Sequence, residues 1–341
     1  MTTRVRSRQS PPLSVFQHAD LGKSLMQIGT SFFPYICICA VLYRFPGLSW
    51  WVTPVLWLFA SGFMVRIFII QHDCGHGSFF ASRRGNEVAG WLCSLITLAP
   101  YAHWRRQHAL HHANWNNLDR RDSGMDIYSS CLTITEFNAL SRLNQRCYRV
   151  LRNPIVSLLL LPPLVFLVLY RIPFDSPAGW RKEKVGVYLT DLGILGLILA
   201  LASFFGFARV AEVQIPILVI AATVGVWLFS LQHRFEKTRW DRNDSWTKAM
   251  ASVQGSSYLK LPRVLQWFTG NIGFHHVHHF SPRIPNYRLE LCHRASPELQ
   301  NAPVLSIWTG LKSWRYALWD ESHGVMVPFP RRTAASSRST A

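Results

Sequence analysis

Histidines in three short boxes and at one isolated position are the residues of this chain whose type and spacing could do chemistry. The boxes begin at His72 (His-x-x-x-His), His108 (His-x-x-His-His) and His275 (His-His-x-His-His), and the isolated residue is His233. Imidazole is the commonest protein ligand for iron, zinc, copper and nickel. The sequence therefore raises the question of whether these rings converge on a metal.

Helical spacing would bring the rings of each box to one face. Residues three and four apart lie on the same side of a helix, and each box repeats that spacing. With the isolated residue, this gives nine candidate ligands: His72, His76, His108, His111, His112, His233, His275, His278 and His279. Because one metal rarely takes more than about six ligands, nine nitrogens indicate two metals, each with four or five nitrogens.

Composition places these histidines in a membrane protein. Hydrophobic residues make up 49% of the 341 residues, and Lys and Arg outnumber Asp and Glu by 36 to 18. The basic residues flank long apolar runs, as they do in membrane proteins, and no nucleic-acid-binding signature is visible. The seven cysteines form no C-x-x-C pair, which argues against a disulfide framework, a zinc ribbon or covalent haem. We predict an integral membrane protein with no nucleic-acid partner.

Four apolar runs approach the roughly 20 residues that a membrane span needs: 25–43, 48–70, 187–206 and 213–232. They predict an all-α membrane protein with four transmembrane helices in two hairpins and a cytoplasmic helical cap that carries the histidine boxes. The second hairpin is expected to turn at Phe207 to Glu212.

Three regions are predicted along the chain. Residues 1–24 form a cytoplasmic arm, 25–330 a single membrane domain, and 331–341 a disordered tail rich in Ser, Thr, Arg and Ala.

Two further apolar runs decide which face the histidines share. The run at 88–102 is too short to span and is expected in the interface. The run at 155–170 contains Pro162-Pro163 and has basic residues at both ends, which predicts a re-entrant segment with both ends in the cytoplasm. All four histidine groups then lie on the cytoplasmic face. If 155–170 spanned, His233 would lie across the membrane from His72.

The boxes and the sequence segments around them resemble those of the integral-membrane fatty acid desaturase superfamily. Tyr101 to Asp122 (YAHWRRQHALHHANWNNLDRRD), Leu231 to Glu236 (LQHRFE) and Gly270 to Tyr287 (GNIGFHHVHHFSPRIPNY) are similar to bacterial acyl-lipid desaturases of the delta-12, or omega-6, type. The likeness extends over about residues 20–300. It implies that the nine histidines bind two iron ions, that O2 is the co-substrate, and that the enzyme acts in a bacterial inner membrane.

The implied reaction inserts a cis double bond into a membrane-lipid acyl chain, turning oleoyl into linoleoyl. Removing two hydrogens from adjacent unactivated methylenes needs an oxidant made from O2 and two electrons from outside. The chain carries no flavin, nicotinamide, haem or cytochrome b5 signature, so the electron donor is expected to be a separate carrier. A ferredoxin fits the resemblance best and cytochrome b5 second. Either is usually acidic, which suits a basic cytoplasmic face.

Two other functions remain open on the sequence alone. A di-iron membrane hydroxylase of alkane, fatty acid or carotenoid substrates would share the first hydrogen abstraction. A membrane metal-binding or transport protein would place ionisable ligands near the middle of its spans, where this chain has almost none.

Other residues near the boxes and spans have expected supporting roles. Asp119 and Asp122 are expected to orient imidazoles through their second ring nitrogen. His276 has no counterpart in the minimal box and is expected to face solvent or to lie behind the ligands. Four tryptophans are expected to anchor the membrane interface: Trp104, Trp115, Trp227 and Trp240.

Overall fold

The computed structural model describes residues 11–121 and 130–330. The predictions for Asp122 and for the tail at 331–341 lie outside the described residues, as does the first part of the N-terminal arm. The described chain is mostly helical. Its longer helices are α1 (Leu21–Arg44), α2 (Val52–His76), α3 (Arg83–Thr97), α4 (Tyr101–Asn114), α8 (Arg181–Phe205) and α9 (Phe207–His233).

Short elements fill the rest of the described chain. The remaining helices are α5 (Ile134–Ala139), α6 (Arg142–Leu151), α7 (Leu161–Leu167), α10 (Lys248–Gln254), α11 (Arg263–Phe268), α12 (His275–Phe280), α13 (Asn286–Ala295) and α14 (Ile307–Lys312). The strands are β1 (Leu132–Thr133), β2 (Tyr258–Leu259), β3 (Val304–Leu305), β4 (Leu318–Asp320) and β5 (Val325–Val327). β4 pairs with β1 in parallel and with β5 antiparallel, while β2 and β3 form a separate parallel pair.

Four helices, α1, α2, α8 and α9, are long and apolar enough to cross a membrane. This confirms the four predicted spans and their pairing into two hairpins. α1, α2 and α9 pack around a shared core, in which Ile67, Ile70 and Ile217 are completely buried. Many other apolar side chains of these helices face outward, as a lipid environment requires.

The turn of the second hairpin differs from the prediction. α9 begins at Phe207, so the stretch expected to be a turn is already helical. The connection is Gly206 alone, with φ at 81°, a backbone conformation that glycine adopts without the steric cost of a Cβ. Arg209 and Glu212, which lie in the stretch expected to be the turn, form an ion pair one turn apart on the helix.

The proline-containing segment is helical but bent. A π-helical stretch at Ile155–Leu160 runs into α7, whose first turn holds Pro162, and prolines are tolerated there because a first-turn N–H needs no helical partner. This segment meets α6 at an angle of 57°, which is compatible with a broken span or a re-entrant loop. The re-entrant path therefore stays a prediction.

Candidate metal centre

The four histidine groups lie on four helices that meet at one place. The first box is the last turn of α2, which stops at Gly77 in the left-handed conformation with φ at 67°. His233 is the last residue of α9, the second box lies along α4, and the third forms α12. The helical spacing predicted for every box is confirmed.

Five imidazoles form the first of two groups, here called the five-nitrogen group. Their ligand atoms all lie within 4.8 Å of one another: His72, His76, His108, His112 and His278. The Nε2 atom of His112 lies 3.1 Å from that of His108 and 2.9 Å from that of His278. Three separate helices thus converge on one point.

Four imidazoles form the second, or four-nitrogen, group. His111, His233 and His279 place their ligand atoms within 4.8 Å of one another. The Nε2 atom of His275 joins them, 2.8 Å from that of His233 and 3.2 Å from that of His279. The two groups are neighbours, because the rings of His112 and His279 stack with centroids 4.2 Å apart.

This arrangement suits metal ions better than hydrogen bonding between rings. The Nε2 atom of His233 lies within 3.2 Å of three others, those of His111, His275 and His279. One imidazole nitrogen has a single in-plane proton or lone pair and cannot satisfy three such neighbours. Lone pairs directed at a shared cation remove the conflict, since metal–nitrogen bonds of about 2.1 Å put adjacent ligands about 3 Å apart.

Burial keeps these rings in the form that binds metal. Desolvation foremost, and then the neighbouring imidazoles, hold the pKa values of the box histidines on α4 and α12 well below their usual range: His108, His112, His275, His278 and His279. Neutral imidazole is the ligand form. No carboxylate or thiolate belongs to either group among the described residues.

One buried carboxylate orients the first box from behind. Asp73 Oδ1 lies 3.2 Å from Nδ1 of His72. Its other oxygen accepts hydrogen bonds from the backbone N–H and the side-chain amide of Asn286, at 2.7 and 2.8 Å. The same amide donates to Gln27 Oε1 at 3.1 Å. A carboxylate on Nδ1 fixes the tautomer that leaves the Nε2 lone pair free for a metal.

An apolar cavity of about 430 Å³ leads to both groups. Side chains of α2, α7 and α9 line it, among them Phe68, Phe166 and Leu218, and so do the rings of His72, His108, His111 and His275. These four rings include members of the five-nitrogen and the four-nitrogen group. A long apolar ligand in this cavity would lie against both metal sites.

Comparison with known proteins identifies the family. The family model for fatty acid desaturases matches residues 48–310, a range that includes all nine histidines. A fatty acid desaturase of Bacillus subtilis (strain 168) is 42% identical over 93% of this chain and 89% of its own length. The chain belongs to the fatty acid desaturase family. The members of this family are oxidoreductases.

More distant members of the family extend the likeness. The sn-1 oleoyl-lipid 12-desaturase of Synechocystis sp. is 26% identical over 74% of this chain and 70% of its own length. The oleoyl-12-hydroxylase of Ricinus communis is also 26% identical, over 76% of this chain and 67% of its own length. Family members with different oxidation products thus resemble this desaturase chain about equally.

The expectation for Asp119 is not met. Asp119 is exposed, and its oxygens accept hydrogen bonds from Arg242 Nη1 at 2.6 Å and from the backbone N–H of Asn243 at 2.9 Å. These bonds lower its pKa and hold it at the cap surface. The carboxylate that orients a ring is Asp73 instead. Asp73 follows His72 directly in the sequence. Adjacency alone did not predict this contact, however, because neighbouring side chains on a helix point about 100° apart.

His276 does not face solvent. It is completely buried, and its Nε2 lies 3.0 Å from Nδ1 of His293. Burial foremost, and then the charge of His293, lower its pKa to about 3. Because α12 turns this ring away from the other four, it pairs with α13 and joins neither nitrogen group.

Three of the four tryptophans are not interface anchors. Trp115 is buried with its ring centroid 3.9 Å from that of His233, and Trp240 packs on it at 5.2 Å. Trp104 stacks on His108 at 4.6 Å and lines the cavity. The interface prediction is wrong for them because the cap folds over the helix ends and encloses the rings.

Proposed function

We propose that this chain is an O2-dependent acyl-lipid desaturase that inserts a cis double bond into a membrane-lipid acyl chain, turning oleoyl into linoleoyl. The observation that carries the proposal is the apolar cavity that is lined by members of both nitrogen groups. Such a cavity suits a chain of methylenes and offers no polar contact that would suit a sugar or nucleotide along most of its length.

We assign the nine histidines as ligands of two irons. His72, His76, His108, His112 and His278 hold one, and His111, His233, His275 and His279 hold the other. When bound there, two irons would supply the oxidising power to remove two hydrogens from adjacent methylenes, while O2, two external electrons and two protons complete the formation of two waters. All-nitrogen sites suit an oxidising centre because thiolate ligands would themselves be oxidised.

The protein's own contribution is to place the chain and to exclude water. Phe68, Phe166 and Phe229 line the cavity in which the acyl chain would lie, and Gly225 on α9, which has no side chain, leaves room for that chain. How far the acyl chain enters the cavity fixes which of its methylenes lie beside the histidines. The delta-12 position is supported by the resemblance of the third box region and by the 12-desaturase among the relatives.

We propose that electrons reach the site from a separate carrier. We propose a ferredoxin, with cytochrome b5 as the second choice, docking on the cytoplasmic face. Two features support this: the chain's formal net charge of +18, and the acidic character usual for such carriers, which favours electrostatic steering. The basic residues beside the histidine-bearing ends of the spans support the cytoplasmic placement.

A hydroxylase is the second candidate, because a relative named oleoyl-12-hydroxylase matches as well as the 12-desaturase does. Both reactions begin by removing one hydrogen from the same chain. In desaturation a second hydrogen is then removed, whereas in hydroxylation a hydroxyl group is added to the carbon that lost the first.

Product analysis tests the proposal. The chain is expressed with a ferredoxin and its reductase in a bacterium that makes oleate, and the membrane lipids are analysed by gas chromatography and mass spectrometry. We expect linoleate to appear as oleate falls, and neither change with His278→Ala as the inactive control. New monoenes from stearate would move the position of the double bond. A hydroxylated chain without a new alkene would contradict the desaturase and favour the hydroxylase.

A further inference from the structure

A second pocket lies on another side of α2, lined by Lys23, Gln27, Arg66, Arg263, Trp267 and Asn286 among others, with a volume of about 400 Å³. It is distinct from the acyl cavity. Arg66 projects roughly a third of a turn around α2 from the residues that line that cavity, and Arg66 is not among the cavity's lining residues. We refer to it as the basic pocket.

Arg66 is a buried charge with no counter-ion among the described residues. It is 7% exposed, its guanidinium lies 3.9 Å over the ring of Trp267, and one of its nitrogens donates to the Trp267 carbonyl. It makes no ion pair with any carboxylate of the described residues. An uncompensated buried charge is costly, so an anion that enters the pocket would relieve it.

Two buried donors in the basic pocket have no acceptor in the part of the chain that the structure describes. Arg66 Nε and Gln27 Nε2 have no hydrogen-bond partner within the described chain. Gln27 is 3% exposed. Its Oε1 already accepts from Asn286, so the unpartnered atom is the donor. Each orphaned buried N–H carries a desolvation cost that an oxygen ligand would remove. Both donors could therefore form hydrogen bonds with acceptor oxygens of a bound ligand.

The charges around the pocket also favour an anion. Lys23 and Arg263 are exposed at its edge. The carboxylate of Glu290 also lines it, but Gln266 donates to that carboxylate at 2.8 Å and Arg294 pairs with it. Three cations against one engaged carboxylate leave the pocket positive. A tetrahedral oxyanion with several acceptor oxygens matches this set of donors.

The position of the pocket identifies the source of that oxyanion. Lys23 lies in the first turn of α1, at the end of a helix long and apolar enough to span. Beside it, α11 exposes Val264 and Leu265, and α1 exposes Met26. Apolar side chains next to a basic pocket at the end of a span fit the headgroup region of a bilayer. We infer that the basic pocket binds the phosphate of a phospholipid headgroup, a second lipid beside the substrate.

Native mass spectrometry of the full-length protein in detergent, titrated with phosphatidylglycerol, tests this inference without depending on activity or iron. We expect one tightly retained lipid per chain in addition to any acyl lipid in the substrate cavity, which all the variants would share. Arg66→Gln should weaken its retention about tenfold, because a charge-assisted hydrogen bond and its ion pair are lost. Arg84→Gln on exposed α3, outside the pocket, should leave retention unchanged.

The remaining arms separate the possible sources. If Arg66→Gln does not insert, Lys23→Gln combined with Arg263→Gln replaces it, since both residues are exposed. A phosphate-free glycolipid retained as tightly as phosphatidylglycerol would overturn the inference. So would equal lipid retention by the wild type and the pocket variants. Inorganic phosphate that binds through Arg66 and is not displaced by phosphatidylglycerol would overturn the lipid source and leave a soluble oxyanion in its place.

Discussion

Asp73 and Asn286 are joined by two hydrogen bonds to the same carboxylate oxygen, one from the backbone N–H and one from the side-chain amide of Asn286. The contact links α2, which carries the first histidine box, to α13, which follows the third. Because the other oxygen of Asp73 meets Nδ1 of His72, the pair holds a proposed ligand of the five-nitrogen group in place.

Asp73→Asn should weaken metal binding. The variant keeps the size of the side chain but removes the charge that fixes the His72 tautomer, and losing such a partner typically costs about 10–100-fold in metal affinity. Iron retained by purified protein against a graded series of chelator concentrations measures the effect. Asp119→Asn is the control, since Asp119 pairs with Arg242 at the surface. A larger loss with Asp119→Asn would reverse our assignment of the orienting carboxylate.

Single ligand replacements should abolish turnover without preventing insertion. His76→Ala, His111→Ala and His278→Ala each remove one nitrogen from a buried group, while the apolar spans that drive insertion stay intact. Oleate conversion in membranes with matched protein amounts measures this. His323→Ala, at an exposed histidine far along the chain, should behave as wild type. Any variant that keeps most of its activity would not have lost a ligand.

Gly225→Leu should obstruct the cavity for the acyl chain while leaving the metals bound. A Cβ at Gly225 meets no atom within 4 Å, and the larger side chain would project into the cavity. Activity on oleoyl chains should fall at least several-fold, or shift to shorter chains, at unchanged iron content. Gly29→Leu is the matched control, since Gly29 is equally uncrowded but lies on the exposed side of α1. An identical effect of both changes would argue that helix substitution, not the cavity, is responsible.

Cysteine labelling tests which side of the membrane the cap occupies. In a background without the two exposed cysteines, Cys37 and Cys147, Ala208→Cys should react with an impermeant reagent added from outside, and Ala178→Cys should not. Both positions are exposed in the structure, and the hairpin turn at Gly206 places Ala208 at the far end of the bundle from His233. The reverse pattern would mean that the proline-containing segment spans the membrane.

Local patterns were sufficient to predict the helices and the boxes. Apolar length gave the four spans, and three- and four-residue spacing placed the rings of each box on one side of its helix. The start of α9 was predicted too late because the turn was placed in the gap between two apolar runs. In the structure this gap is helical, and Arg209 and Glu212 in it form an ion pair on the helix.

Long-range contacts account for what could not be predicted. The division into five and four nitrogens depends on how α12 docks between α4 and the ends of α2 and α9. The role of Asp73 depends on Asn286, more than two hundred residues away, and the burial of Trp115 depends on the loop that follows α9. No local pattern in the sequence predicts these long-range contacts.

Iron content is the most direct test of the central claim that the two nitrogen groups hold two irons. Purified, active protein analysed by elemental mass spectrometry should contain about two irons per chain. His278→Ala and His233→Ala, which remove a ligand from different groups, should each retain about one. One iron or none in the active wild type would contradict the account. Zinc in overexpressed, inactive protein would not, because zinc outcompetes ferrous iron for such ligands.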